Sequence, residues 1–162
     1  RTSFRHLSSQ PPEAHAPAES PRPRFLVKFL LDTNVVSELR KPRPHGAVLA
    51  WFDRIPSTEL SISAVVVGEI QSGIERTRRQ DPAKAADFER WLDAICAQLV
   101  PIPADHRVFR EQARLLARHK TISGADALIA ATAMVHSLVL VTRNEKDFRR
   151  LGIPLFNPFA SV

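Results

Sequence analysis

The sequence predicts an α/β fold, a three-layer α/β/α sandwich with a central parallel sheet, and two observations carry that expectation. Short apolar runs at residues 25–31, 60–62, 99–102 and 138–141 are too brief for helices, and longer stretches with helical apolar spacing separate them. Strands that alternate with helices are joined by crossovers rather than hairpins, so they pair in parallel and need cover on both faces. The second observation is size: 162 residues, 44% hydrophobic and 25% charged, fill one core and leave no room for a second domain.

In chain order, 25–31 reads as a buried strand, about 35–40 and 47–54 as helices, 60–62 as a brief strand and 64–79 as a longer helix. Asp81-Pro82 opens a helix to about 98, because proline is tolerated in a first turn. Residues 99–102 read as a strand, 105–119 and 124–136 as helices, 138–141 as a strand, 145–150 as a short helix and 154–156 as a final strand. No internal repeat is visible. The first 24 residues hold five of the 13 prolines and almost no large apolar residues, so 1–24 is expected to be a disordered extension and 25–162 the folded domain. Glu13, Glu19 and the lack of an apolar segment make the extension a poor targeting peptide.

The charge is the departure from an ordinary composition. Lys and Arg number 23 against 17 Asp and Glu, for +6, and 18 of the cations are Arg, whose planar fork suits phosphate. The single cysteine, Cys96, excludes an internal disulfide and a thiolate metal cage, and its helical setting makes it a buried, inert thiol. No apolar run approaches the roughly 18 residues of a membrane span, so a soluble cytoplasmic protein is expected.

Four acids stand where chemistry is expected. Asp32 ends the first strand run, at the carboxyl end where ligands of parallel sheets bind; an N-cap, shared with Thr33 and Asn34, is the alternative. Glu69 lies along the apolar stripe of Val66, Ile70, Gly73 and Ile74, where a carboxylate is costly without a partner or a cation; the alternative is the edge of that stripe. Asp126 shares a face with Ile129, Ala130 and Ala133, and it would also suit the dipole of a first turn. Asp147 is the fourth, just past the 138–141 run with Asn144 and Glu145, and Asn144 with Asp147 also resembles a capping box. Clustered carboxylates persist with a cation among them, and an all-oxygen donor set favours Mg²⁺, or Mn²⁺, over zinc. One or two such ions activate water against a phosphodiester.

The segment Phe29-Leu30-Leu31-Asp32-Thr33-Asn34-Val35-Val36-Ser37-Glu38 is similar to the opening of VapC and FitB-like PIN-domain proteins. Ser61-Ile62-Ser63 with Glu69, Gly124 to Ala133, Val141-Thr142-Arg143-Asn144 with Asp147-Phe148, and Phe156-Asn157-Pro158 resemble that family's later motifs in order. The likeness covers about residues 27 to 159. It implies a PIN domain over 25–162, a Mg²⁺-dependent endoribonuclease, a homodimer, and silencing by a cognate VapB- or FitA-like antitoxin in a bacterial cytoplasm. By motif position Asp32, Glu69 and Asp126 carry over as metal-binding acids. Some relatives place Asp where this chain has Asn144, so Asn144 and Asp147 both stand as the fourth donor. Arg143, with Asn34 and Thr142, is the expected substrate contact. Arg107, Arg110, Arg114 and Arg118 form a stripe opposite Phe109, Ala113, Leu116 and Ala117, either an RNA track or a solvated face.

Two rival classes are separable. A haloacid-dehalogenase-like phosphatase wants a second Asp where Asn34 stands, and no Gly-x-Ser-x-Gly or Cys/His constellation supports a Ser or Cys hydrolase. A non-catalytic binding module on a PIN scaffold would act without a metal ion.

Overall fold

The computed structural model of the chain describes residues 28–160. The expected extension 1–24, and the start of the 25–31 run, lie outside the described residues. The elements follow in order: β1 (Phe29–Leu31), α1 (Thr33–Leu39), α2 (Gly46–Phe52), β2 (Leu60–Ser61), α3 (Ala64–Arg78), α4 (Pro82–Gln98), α5 (His106–Arg118), α6 (Gly124–Val135), β3 (Val139–Val141), α7 (Glu145–Phe148) and β4 (Leu155–Phe156). The strands form one sheet in the order β2-β1-β3-β4, and every neighbouring pair is parallel. Successive strand residues point to opposite faces. Leu30 and Leu31 are both fully buried, as are Leu140 and Val141, so both faces of the sheet are covered.

This order puts the site in place. From β1 the chain crosses to β2 on one side and later returns to β3 on the other, which makes the carboxyl ends of β1 and β3 the point where ligands of such sheets bind. A helix that feeds a parallel strand runs antiparallel to it. The start of α6 therefore lies on the same edge of the sheet as Asp32.

The longer helices begin on side chains that satisfy their free N–H groups. Ser63 caps α3, Asp81 caps α4 with Pro82 behind it, Asp105 caps α5 and Ser123 caps α6. Small residues let α6 sit close to its neighbours: Ala127, Ala130, Ala131 and Ala133 are buried. A 3-10 turn at Arg149–Leu151 ends on Gly152, whose φ of 70° lies in the left-handed region that glycine enters without strain.

One expectation is corrected. Residues 99–102 are not a strand: Ile102 alone bridges Ser63, donating to Ile62 O at 2.8 Å and accepting from Ala64 N at 2.9 Å. Pro101 and Pro103 on either side have no N–H to extend the ladder. On α5 the packed arc is Val108 and Leu115, while Phe109, Ala113, Leu116 and Ala117 face solvent. Among the described residues no helix is long and apolar enough to cross a membrane.

Asp105 gives a pH signature. Arg107 beside it and the Val108 N–H hold its carboxyl down at about 2, against an ordinary 3.8. A depressed folded-state value means the contribution is complete above 3.8 and disappears as pH falls toward about 2. Asp105→Ala should lower the melting temperature at neutral pH, with a difference that closes across that window. A pH-independent difference would assign the effect to packing instead.

Candidate active site

Asp32 is the first residue past β1 and the N-cap of α1, and its N–H donates to Val141 O at 3.0 Å, closing the end of β1 on β3. Its side chain is 5% exposed. Oδ1 accepts from Thr33 N at 2.7 Å, and Oδ2 accepts from Asn34 Nδ2 at 2.5 Å and from Thr142 Oγ1 at 2.6 Å. Even so, the carboxyl is raised above its usual range. Burial is the largest cause, the Thr142 and Thr33 hydrogen bonds oppose it, and repulsion from Asp126 and Glu69 adds to it. The cap and the charge centre are one residue.

Glu69 and Asp126 both lie near enough for their charges to act on Asp32, and a hydrogen bond ties Glu69 to the neighbouring Thr33. Glu69 is half-buried beside the packed stripe of Val66, Ile70 and Ile74, and its Oε2 accepts from the Thr33 hydroxyl. Asp126 sits in the first turn of α6, over buried Ile129, Ala130 and Ala133. The Ser123 hydroxyl donates to its carboxylate at 2.8 Å and accepts from its N–H at 3.0 Å. Both readings of Asp126 from the sequence therefore describe the same side chain.

Asp147 is placed differently. It accepts from Asn144 Nδ2 at 2.6 Å and does not appear among the charges acting on Asp32. Asn144 N donates to Thr142 Oγ1 at 2.9 Å, so the loop after β3 folds onto its own side chains. Its side chain makes no helix cap.

The three expected substrate contacts have distinct places. Thr142 is fully buried, and its hydroxyl donates to Asp32 and accepts from Asn144 N. Asn34 also links the two strand ends, since its Oδ1 accepts from Arg143 N at 3.1 Å. Arg143 is exposed, with its guanidinium 5.0 Å from the Phe159 ring centre. It faces Glu38, a buried acid that sequence reasoning passed over. Glu38 accepts from Lys41 Nζ at 2.5 Å and His45 N at 3.0 Å, and these contacts with Arg143 nearby hold its carboxyl below the usual range. Its signal was available: Glu38 lies at i+3 from Val35 on a buried helix face, the reasoning that singled out Glu69.

Of the α5 stripe, Arg107 pairs with Asp105 and Arg114 with Glu111, both at 2.7 Å, as expected of a solvated face. Cys96 is half-buried, and burial pushes its thiol up, with Asp93 adding to the effect, so it stays protonated.

Among the described residues no group of three or more His, Cys, Asp or Glu side chains is drawn together closely enough to hold a metal ion as it stands. The donor set nevertheless fits a hard cation. Asp32, repelled by both Glu69 and Asp126, stands among oxygen donors of the kind that suit Mg²⁺, which binds through one or two carboxylates and keeps several waters.

Comparison with known proteins gives a concordant picture. The PIN domain family model matches residues 29–154. The chain is 36% identical over 142 residues to a VapC ribonuclease of Sinorhizobium fredii, covering 81% of this chain and 97% of that protein. It is 31% identical over 136 residues to Toxin FitB of Neisseria gonorrhoeae, covering 81% and 98%. Among solved structures it is similar to FitAcB from Neisseria gonorrhoeae, with a TM-score of 0.75 at 32% identity over 82% of this chain and 99% of that one. A structure of FitAB bound to a DNA fragment gives a TM-score of 0.73 at 30% identity, covering 83% and 97%.

Proposed function

As the chain belongs to the PIN domain family, we propose that it is a divalent-cation-dependent endoribonuclease and the toxin of a bacterial toxin–antitoxin pair, acting in the cytoplasm. The observation that carries the reading is the convergence of Glu69 and Asp126 on buried Asp32 at the switch point of the sheet. Asp32, Glu69 and Asp126 would hold the cation, with Asp147 or Asn144 at the rim. When bound, the Mg²⁺ or Mn²⁺ supplies the Lewis acidity that activates water and offsets charge on the phosphodiester.

The residues of the chain supply position. Thr33, Asn34 and Thr142 fix the Asp32 carboxylate from three sides, so its lone pairs meet a ligand without a search through rotamers. Thr33 and Ser123 orient Glu69 and Asp126 in the same way. Hydrolysis adds water across a P–O bond: the water oxygen joins phosphorus, the bridging oxygen leaves with the electron pair, and that oxygen takes up a proton. Arg143, exposed beside the Asn34 link, would meet the RNA backbone. The likeness to FitAB supports a FitA- or VapB-like antitoxin as the partner, and a homodimer is the assembly that the family resemblance implies.

The test is cleavage of RNA by the purified chain. Cleavage is expected with Mg²⁺ or Mn²⁺ and should stop in excess chelator. Cleavage that persists in chelator, or none with either ion, would overturn the reading.

A further inference from the structure

Beside the acids lies a cavity of about 220 Å³ between α1 and α3, lined by Thr33, Ser37, Arg40, Glu69, Gly73 and Arg76. We propose that this cavity is an anion subsite that holds a backbone phosphate of a single-stranded RNA next to the one being cut. The inference rests on the ribonuclease reading of the neighbouring acids and names how their substrate is gripped.

Arg40 is the first support. Its guanidinium carbon lies 3.8 Å from the centre of the Phe88 ring and 5.6 Å from that of Trp91, both on α4. Ring contact covers a face of the guanidinium and leaves its N–H donors, which lie in the plane, free to serve as a fork. Among the described residues Arg40 has no ion pair, so the fork is unclaimed. Burial against the rings also lowers its pKa, the sign of a guanidinium partly stripped of water and ready to gain from an anion.

Arg76 is the second support. It reaches the same cavity from α3 and also has no ion pair among the described residues, although Arg78, two residues on, holds both Glu75 and Glu89. Glu69, Gly73 and Arg76 follow i, i+4, i+7 and share a face. Seven residues rise about 10 Å along a helix, so a strand with one phosphate at the acids runs along α3 toward Arg76. Glu69 would repel a phosphate here, but its charge faces the Thr33 hydroxyl and the proposed cation. At about 220 Å³, the cavity is smaller than the roughly 300–1,000 Å³ of a site that encloses a whole small ligand. A short piece of a longer chain fits it better than a free nucleotide.

The experiment uses the full chain and a labelled single-stranded oligoribonucleotide. Arg76→Ala, an exposed position that leaves the core untouched, should raise KM about tenfold with kcat within about threefold. It should also reduce the salt slope of binding by about 0.7. Arg40→Lys, which keeps the charge and the ring cover but loses the fork, should weaken binding less than Arg76→Ala while still raising KM. Binding of the uncleaved oligonucleotide in chelator, read by anisotropy and by the fluorescence of Trp91 in a Trp51→Phe background, gives a second readout that needs no catalysis. A parent that fails to cleave RNA, yet binds it in an Arg76-dependent way, would sink the ribonuclease reading and keep the subsite. Unchanged KM, salt slope and binding for Arg76→Ala in a cleaving protein would overturn the subsite alone. Equal competition by polyglutamate would assign the cavity to an acidic peptide and overturn the RNA proposal.

Discussion

Asp32→Asn is expected to abolish RNA cleavage while leaving the cation-free protein at least as stable as its parent. Outer partners of metal ligands are commonly worth 10–100-fold in activity, so a residue proposed to hold the cation itself should cost at least about 100-fold. The stability arm follows from the sign of the shift. Burial and the charges of Asp126 and Glu69 raise the Asp32 carboxyl above 3.8, so the folded protein takes up this proton more readily than the unfolded chain. Charged Asp32 therefore destabilises the fold at neutral pH, and this cost fades as pH falls through the raised value. An amide of nearly the same shape removes this charge cost; with its oxygen at the Oδ2 position it keeps the Asn34 and Thr142 hydrogen bonds and gives up only the one from Thr33 N. In chelator at neutral pH, the melting temperature of Asp32→Asn should match or exceed that of the parent, and Mg²⁺ should raise the parent's alone, because a ligand stabilises only the state that binds it. A variant that melts several degrees lower, or one that still cleaves, would show that Asp32 serves chiefly as the cap of α1.

Much of this site was legible because its acids are costly. A carboxylate at a strand end or on an apolar helix stripe needs a physical reason, and Asp32, Glu69 and Asp126 each meet that condition on sequence alone. Helix starts were legible for a related cause, since Ser63, Asp81, Asp105 and Ser123 accept hydrogen bonds from backbone a few residues away. What failed depended on distant contacts. A helical wheel gives α5 two apolar arcs, and it is packing against neighbours, α6 chief among them, that buries Val108 and Leu115 and leaves Phe109 and Leu116 exposed. The exception is local: residues 99–102 have an apolar, strand-like composition, yet Pro101 and Pro103 in the same stretch lack the donors that a strand needs. At the end of β3, Thr142, Arg143 and Asn144 are all polar. Which of them turns inward is set by Asp32, 110 residues earlier, and the direction of Arg143 is set by Phe159.

Thr142 separates positioning from mere packing, and Thr142→Val is the substitution that tests it. Valine fills the same space, so the change removes a hydroxyl that donates to Asp32 Oδ2 at 2.6 Å and accepts from Asn144 N at 2.9 Å. A buried polar group left without its partner costs about 1–3 kcal/mol, and a lower melting temperature of that order is expected. The functional effect has its own signature. The Thr142 hydrogen bond is the first influence that lowers the Asp32 carboxyl, so without it that carboxyl rises further and charges only at higher pH. Cleavage should fall about 10–100-fold near neutrality, with the acidic limb of the pH profile displaced to higher pH. Thr142→Ser, which restores the donor without the methyl group, should recover most of the activity and return the limb to its place. Loss of stability alone would leave the limb where it was. If Thr142→Val melts lower but keeps the parental pH profile, Asp32 is oriented by Thr33 and Asn34, and β3 contributes only a packed strand end.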